Sequence, residues 1–188
     1  MKRWLIVLLL SCGTSWLPRA AAAVSIALGP ANQTVNVGDS FTLTLEASAL
    51  AGAAVGGYDV AISFDATRVT FVGVTFSSSL GDVGLGEQST DVVSGAGSVS
   101  LGSVSLLDPF ALAALQGDPV ALFSLTFQAI APGTGLFGIA AAQLSDAFAA
   151  ALTVANATGA SVDIVPEPAL AWLLALGAGA VALRRRSA

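Results

Sequence analysis

The sequence predicts an all-β protein: an antiparallel sandwich of about nine short strands with one small helix, flanked by a signal peptide and a C-terminal transmembrane helix. Three observations predict it. Between residues 24 and 165, apolar side chains alternate with Ser, Thr, Asn and Gly at a period of two, the repeat of a strand with one face in a core. Turn signals rich in Gly and Asp interrupt that alternation at short intervals. Unbroken apolar runs occur only at the two ends, which accounts for a mean hydropathy of +0.82 without a membrane-embedded middle.

The first element is the leader. Met1-Lys2-Arg3 is a short positive segment, followed by the apolar run from Trp4 to Leu10 and a weaker continuation to Leu17. Ala21-Ala22-Ala23 then places small residues at Ala21 and Ala23, the spacing a signal peptidase reads, so residues 1–23 read as a signal peptide cleaved near Ala23. Ser11, Cys12, Gly13, Thr14 and Ser15 interrupt the run too early for a spanning anchor. A lipidated Cys12 is the alternative, although Leu10 and the stretch after Cys12 fit it less well.

The folded middle covers residues 24–164. Phe41, Leu43 and Leu45 alternate with Thr42 and Thr44. Tyr58, Val60, Ile62 and Phe64 alternate with Asp59, Ala61 and Ser63, and Phe123, Leu125, Phe127 and Ala129 with Ser124, Thr126 and Gln128. Further strands are expected at 24–28, 34–37, 69–76, 98–106, 135–141, 152–154 and 161–164. Residues 69–76 are apolar on both parities and 98–106 change parity around Gly102, so each predicts a bulge or a strand buried on both faces. The helix follows Asp108, a good N-cap, with Pro109 at its first position and Gly117 after its end, giving 110–116.

The last element is the tail, residues 165–188. Pro166-Glu167-Pro168 ends the folded region, because neither proline donates a backbone hydrogen bond. Fifteen apolar residues, 169–183, then precede Arg184-Arg185-Arg186. As a helix they span about 22 Å, short of the ~30 Å hydrocarbon core, so this is a marginal permanent anchor. The three arginines act as a topology stop on the cytoplasmic side. Prolines, short helix and basic cluster together resemble the PEP-CTERM sorting signal. That resemblance implies an exosortase-type membrane protease acting near Pro166–Pro168. It also implies an inner-membrane-inserted precursor and delivery to the surface or extracellular matrix of a Gram-negative bacterium that makes exopolysaccharide.

A second resemblance lies in the middle. Val37-Gly38-Asp39-Ser40-Phe41-Thr42-Leu43-Thr44-Leu45 resembles the opening of a cohesin module, as does Gly57-Tyr58-Asp59-Val60-Ala61-Ile62-Ser63-Phe64-Asp65-Ala66-Thr67-Arg68-Val69. The residues 122–127, Gly133-Thr134 and Leu144-Ser145-Asp146 continue it. The resemblance implies a nine-stranded jelly-roll sandwich related to carbohydrate-binding modules, with a dockerin-like protein as partner. Asp65 has a local explanation, since an Asp at a turn bonds its own backbone.

Composition narrows the chemistry. Six of seven basic residues lie in the terminal segments, leaving Arg68 against eleven acids between Asp39 and Asp163. Such a surface repels phosphate backbones and excludes nucleic-acid binding. There is no histidine, and Cys12 is the one cysteine, so neither a disulfide nor a Cys/His metal site is available. Without a histidine or lysine to activate a serine, no catalytic constellation is visible and the chain is expected not to be an enzyme. Asp82, Glu87 and Asp91 sit in a Gly-rich stretch that reads as a loop. They are candidate calcium ligands, since calcium takes several carboxylate oxygens, although the stretch lacks an Asp-x-Asp-x-Asp-Gly pattern; no other cofactor is implied. All three tryptophans fall in the targeting segments and Tyr58 has core parity, so a stacking platform for sugar rings is not expected. Two functions remain: a surface module that binds or adheres to a protein, or a carbohydrate-binding component of the exopolysaccharide matrix.

Overall fold

The computed structural model describes residues 23–166. Among these, eleven strands and one α-helix follow in the order β1 (Ala23–Gly29), β2 (Asn32–Asn36), β3 (Ser40–Ser48), β4 (Val55–Phe64), β5 (Val69–Phe76), β6 (Gln88–Gly95), β7 (Ser98–Ser105), α1 (Pro109–Leu115), β8 (Val120–Ala129), β9 (Gly133–Asp146), β10 (Ala151–Thr158) and β11 (Ala160–Val165). One sheet runs β5–β8–β3–β1–β10 and the other β6–β7–β4–β9–β11–β2. Two of the chain's steps between the sheets are those from β1 to β2 and from β10 to β11. Those steps create parallel pairs, β1 with β10 and β2 with β11, in an otherwise antiparallel sandwich. The long β9 pairs β11 through its first half and β10 near its end, joining the sheets at one corner.

The period-two alternation becomes the core. Phe41, Leu43, Leu45 and Ala47 of β3 point inward against Val60 and Ile62 of β4 and Leu125 and Phe127 of β8, all buried. Phe127 is the hub. Its ring meets those of Phe41 (5.8 Å), Phe64 (5.1 Å), Phe71 (5.7 Å) and Phe137 (4.8 Å), the last three edge to face. Each such pair adds about 0.5–1.5 kcal/mol beyond area burial, a useful supplement where no disulfide exists.

The helix forms as expected. Asp108 Oδ1 accepts hydrogen bonds from the amides of Phe110 (3.0 Å) and Ala111 (3.1 Å), and Leu112 is buried. It ends at Leu115. Gln116 leaves the helix and its amide fastens α1 to β4, accepting from Val55 N (2.7 Å) and donating to Val55 O (2.7 Å) and Ser79 O (3.1 Å).

Two expectations need correction. A strand was not foreseen at β6, because Gln88, Thr90, Val92 and Ser94 give its inward side no clean apolar repeat. It pairs β7 through a turn at Ala96-Gly97, where Gly97 has φ +81°. The bulge expected in 69–76 exists, between Phe71 and Gly73, but none occurs at Gly102. There the register with β4 and β6 is continuous. The inward place after Leu101 is held by a polar residue, Ser103, and Val104 faces solvent. Ser103 is satisfied by Gln88, whose amide also reaches the carbonyls of Gly81 (3.0 Å) and Ser77 (3.2 Å) when its nitrogen faces them. That orientation is the one in which amide oxygen does not oppose carbonyl oxygen.

No helix among the described residues is long and apolar enough to cross a membrane. The predicted leader up to residue 22 and the tail from residue 167, including the 169–183 helix, lie outside them.

Candidate functional site

The sandwich has two outward faces. On the β6–β7–β4–β9 sheet, side chains not pointing inward form four rows, fixed by the pairing register. Ser89, Val104, Gly57 and Ser145 make the first row; Asp91, Gly102, Asp59 and Gln143 the second. Val93, Ser100, Ala61 and Ala141 form the third, and Gly95, Ser98, Ser63 and Gly138 the fourth. The floor is therefore Gly, Ala and Ser, with Val93 (62 % exposed) and Val104 (54 % exposed) rising from it. Beside it, a hollow of about 510 Å³ lies over Gly57, Asp59, Val104 and Gln143 and reaches the turn at Ala149.

Small residues are needed where the backbone is close. A Cβ on Gly57 would lie 3.1 Å from the carbonyl of Ser103, and one on Gly56 would collide with the Asp146 backbone. The consequence is a shallow, low-entropy surface, since Gly and Ala lose no rotamer freedom when covered. Strands about 4.8 Å apart and rows about 6.7 Å apart give it roughly 500 Å². A standard protein interface takes about 800 Å² per partner, so a docked protein must also use the rim. Of the exposed leucines, Leu85 precedes β6, Leu106 directly follows β7 and Leu136 lies on β9.

The other outward face, on β5–β8–β3, is hydroxylic. Thr75, Ser124 and Thr44 form one row, Thr126 and Thr42 the next, and Thr70, Gln128 and Ser40 a third. Thr44 Oγ1 and Ser124 Oγ are hydrogen-bonded at 2.8 Å.

The sequence-predicted residues fall as follows. Asp82 Oδ1 accepts from Gly84 N (2.7 Å) and Glu87 Oε2 accepts from Asp82 N (3.0 Å), so both carboxylates close their own loop. Asp91 lies apart from them on β6, opposite Gly102. Among the described residues no group of three or more His, Cys, Asp or Glu could hold a metal ion. Ala23 opens β1, Pro166 is exposed beyond β11, and Ala21, Glu167, Pro168, Arg184, Arg185 and Arg186 lie outside the described residues. Asp65 Oδ1 accepts from the amide (2.9 Å) and hydroxyl (2.6 Å) of Thr67, which hold its carboxyl below the usual carboxylate range. Asp39 is lowered in the same way by the amide and side chain of Asn36. Tyr58 is buried, donates to Leu122 O (3.3 Å), and burial pushes its phenol upward.

Sequence parity missed two aromatics. Phe110 and Phe148 are 85 % and 76 % exposed, whereas the other phenylalanines are buried or packed against the core. Phe148 stands among turn residues, Asp146 to Ala149, and Phe110 opens α1; an aromatic at such a place, outside any alternation, was the available signal.

No protein-family model matches the sequence, and no curated protein does so. Solved structures do match the fold. A cohesin module of a family 33 glycoside hydrolase from Clostridium perfringens superposes with a TM-score of 0.63 at 14 % identity, covering 78 % of this chain and 99 % of that one. A type I cohesin–dockerin complex from Clostridium thermocellum gives 0.62 at 13 % identity, covering 76 % and 99 %. A non-cellulosomal cohesin from the archaeon Archaeoglobus fulgidus gives 0.56 at 15 %, covering 77 % and 92 %. The described region thus has the cohesin-like β-sandwich fold, the fold of modules that include protein-binding ones.

Proposed function

We propose that the chain is a non-catalytic, exported binding module that docks a dockerin-like partner protein on its β6–β7–β4–β9 face. The observation that carries this reading is the floor of that face: sixteen places held mostly by Gly, Ala and Ser, with two exposed valines and two aspartates. Nothing in such a surface serves chemistry, and little of it must be ordered when a partner covers it. Asp59 and Asp91 occupy one row with only Gly102 between them, and so favour a partner bearing Lys or Arg there. The complex from Clostridium thermocellum, by its description, pairs this fold with a dockerin.

The hydroxyl rows of the opposite face favour a second reading, retention in an extracellular polysaccharide. Pull-down from cell-surface extract, run beside a glycan array, separates the two. A protein captured by the native chain and lost with Ala61→Arg supports docking on the sheet face. Saturable glycan binding with no protein partner overturns it.

Sorting is part of the proposal. Signal peptidase removes the leader near Ala23, the tail inserts in the inner membrane with Arg184, Arg185 and Arg186 inside, and an exosortase-type protease recognises Pro166-Glu167-Pro168. Replacing those three residues with alanine is expected to leave unprocessed precursor in the membrane fraction. Unchanged surface display would refute this address.

A further inference from the structure

At the end of the sandwich where α1 lies, a groove of about 460 Å³ is framed by the 49–54 loop, the start of α1 and the turn after Asp146. Phe110 and Phe148, the two exposed phenylalanines, both line it, together with Leu50, Pro109 and Leu152. Two aromatics from separate loops left in solvent around one apolar groove are not explained by the core, which they do not enter.

The groove is already formed. Asp118 accepts from the amides of Ala49 (3.0 Å) and Leu50 (3.0 Å), and Asp146 from those of Phe148 (2.8 Å) and Ala150 (2.9 Å). The positive-φ residues other than glycine in the described region are Ala49 (φ 60°), Ala51 (φ 52°) and Ala149 (φ 61°), all in these two framing loops. Backbone strain of this kind persists where the surroundings hold it, and Ala149 directly follows Phe148.

Charge says what covers the groove. Asp146 lines it, Asp108 bonds the amide of Phe110 at its wall, and Asp118 bonds the amide of Leu50 at its edge. The base in the described region, Arg68, is at the opposite end, bonded to the Pro132 carbonyl beside the Asp65 turn. Among the described residues a second copy carries the same acids and no base at this end, and an anionic bilayer is repelled by those acids for the same reason. An uncharged apolar ligand leaves the carboxylates without a counter-charge.

We infer that the groove is a second docking site, separate from the sheet face, for a basic segment of a partner protein. That segment inserts one aliphatic or aromatic side chain between Phe110 and Phe148 and sets Lys or Arg beside Asp108 and Asp146. The side chain gains burial among aromatics, and an arginine gains the ring faces as well. This reading does not depend on what binds the sheet.

The test uses the purified full chain and three fluorescein-labelled nine-residue peptides: Leu or Phe flanked by Lys and Arg, the same anchors flanked by Glu, and the basic flanks around Ala. Anisotropy is read at low and moderate salt. Only the basic peptide with an apolar anchor is expected to saturate, with affinity falling at least threefold as salt rises. It should weaken at least tenfold with Phe110→Ala/Phe148→Ala and with Phe148→Lys, while Ala61→Arg leaves it unchanged. Because both rings are exposed, these variants should keep the native melting temperature. Equal binding by the Glu peptide, survival in the double alanine variant, or loss with Ala61→Arg overturns the site. So does self-association, or binding to phosphatidylglycerol vesicles, that the double variant abolishes.

Discussion

The two outward faces of this sandwich share strand geometry and differ in what they place on it. The β5–β8–β3 face carries Thr and Ser in rows, where Thr44 and Ser124 bond one another. The β6–β7–β4–β9 face carries Gly, Ala and Ser with isolated valines and aspartates, and leaves its backbone close to the surface. A threonine is restricted at χ1 and satisfied by solvent, so covering it with protein costs desolvation. Gly and Ala offer shape alone. The comparison teaches that, on a sheet, readiness to be covered is marked by the absence of side chains as much as by apolar ones.

The largest expected effect comes from filling the bare floor. Ala61→Arg should weaken partner binding by at least a hundredfold, about 2.7 kcal/mol, while Thr42→Arg on the hydroxyl face changes it less than threefold; titration calorimetry of both variants measures the contrast. Equal losses would erase the distinction between the faces. Next comes the buried polar contact beneath the floor. Gln88→Ala strands Ser103 and the Gly81 and Ser77 carbonyls and should cost about 1–3 kcal/mol in denaturant unfolding.

Charge on the floor sharpens the comparison by rate. Asp59→Asn/Asp91→Asn should slow association about tenfold at low salt and flatten its salt dependence, as read by stopped flow, with little change in dissociation. The hydroxyl face gives the smallest mutational effect: Thr44→Val should cost under about 1 kcal/mol and leave partner binding intact.

Acid stability depends on turns away from both faces. Asp39 and Asp65 have folded-state pKa values below their unfolded ones, because Asn36 and Thr67 donate to the ionised carboxylates. Their contribution is present above the ordinary carboxylate value of about 4 and is lost as pH falls through the lowered folded values. The melting temperature should therefore decline below about pH 4, and Asp65→Asn, which does not titrate, should flatten that decline.

Much of the fold was legible because it was written in parity. Phe41, Leu43 and Leu45, or Phe123, Leu125 and Phe127, name their own strands, and Asp108-Pro109 names its helix. β6 was hidden because an edge strand beside a Gly-rich loop has no apolar repeat to display. That hid the proposed docking face too: Asp91 reads as a loop carboxylate beside Asp82 and Glu87, although register sets it in a row with Asp59. Phe110 and Phe148 belong to no alternation, and only packing separates a phenylalanine that fits inside from one left at a turn.

By itself the sequence determined an acidic all-β domain without disulfide or histidine chemistry, between a leader-like start and a Pro-Glu-Pro, apolar, triple-Arg end. Those properties are local, set by composition and by a period that each strand carries alone. Tertiary structure decided which solvent-facing residues share a face, that Asp91 and Asp59 align, and that Phe110 and Phe148 line one groove. The physical reason is register: a strand's own pattern says which side chains face outward, but only pairing with its neighbours says what stands beside them.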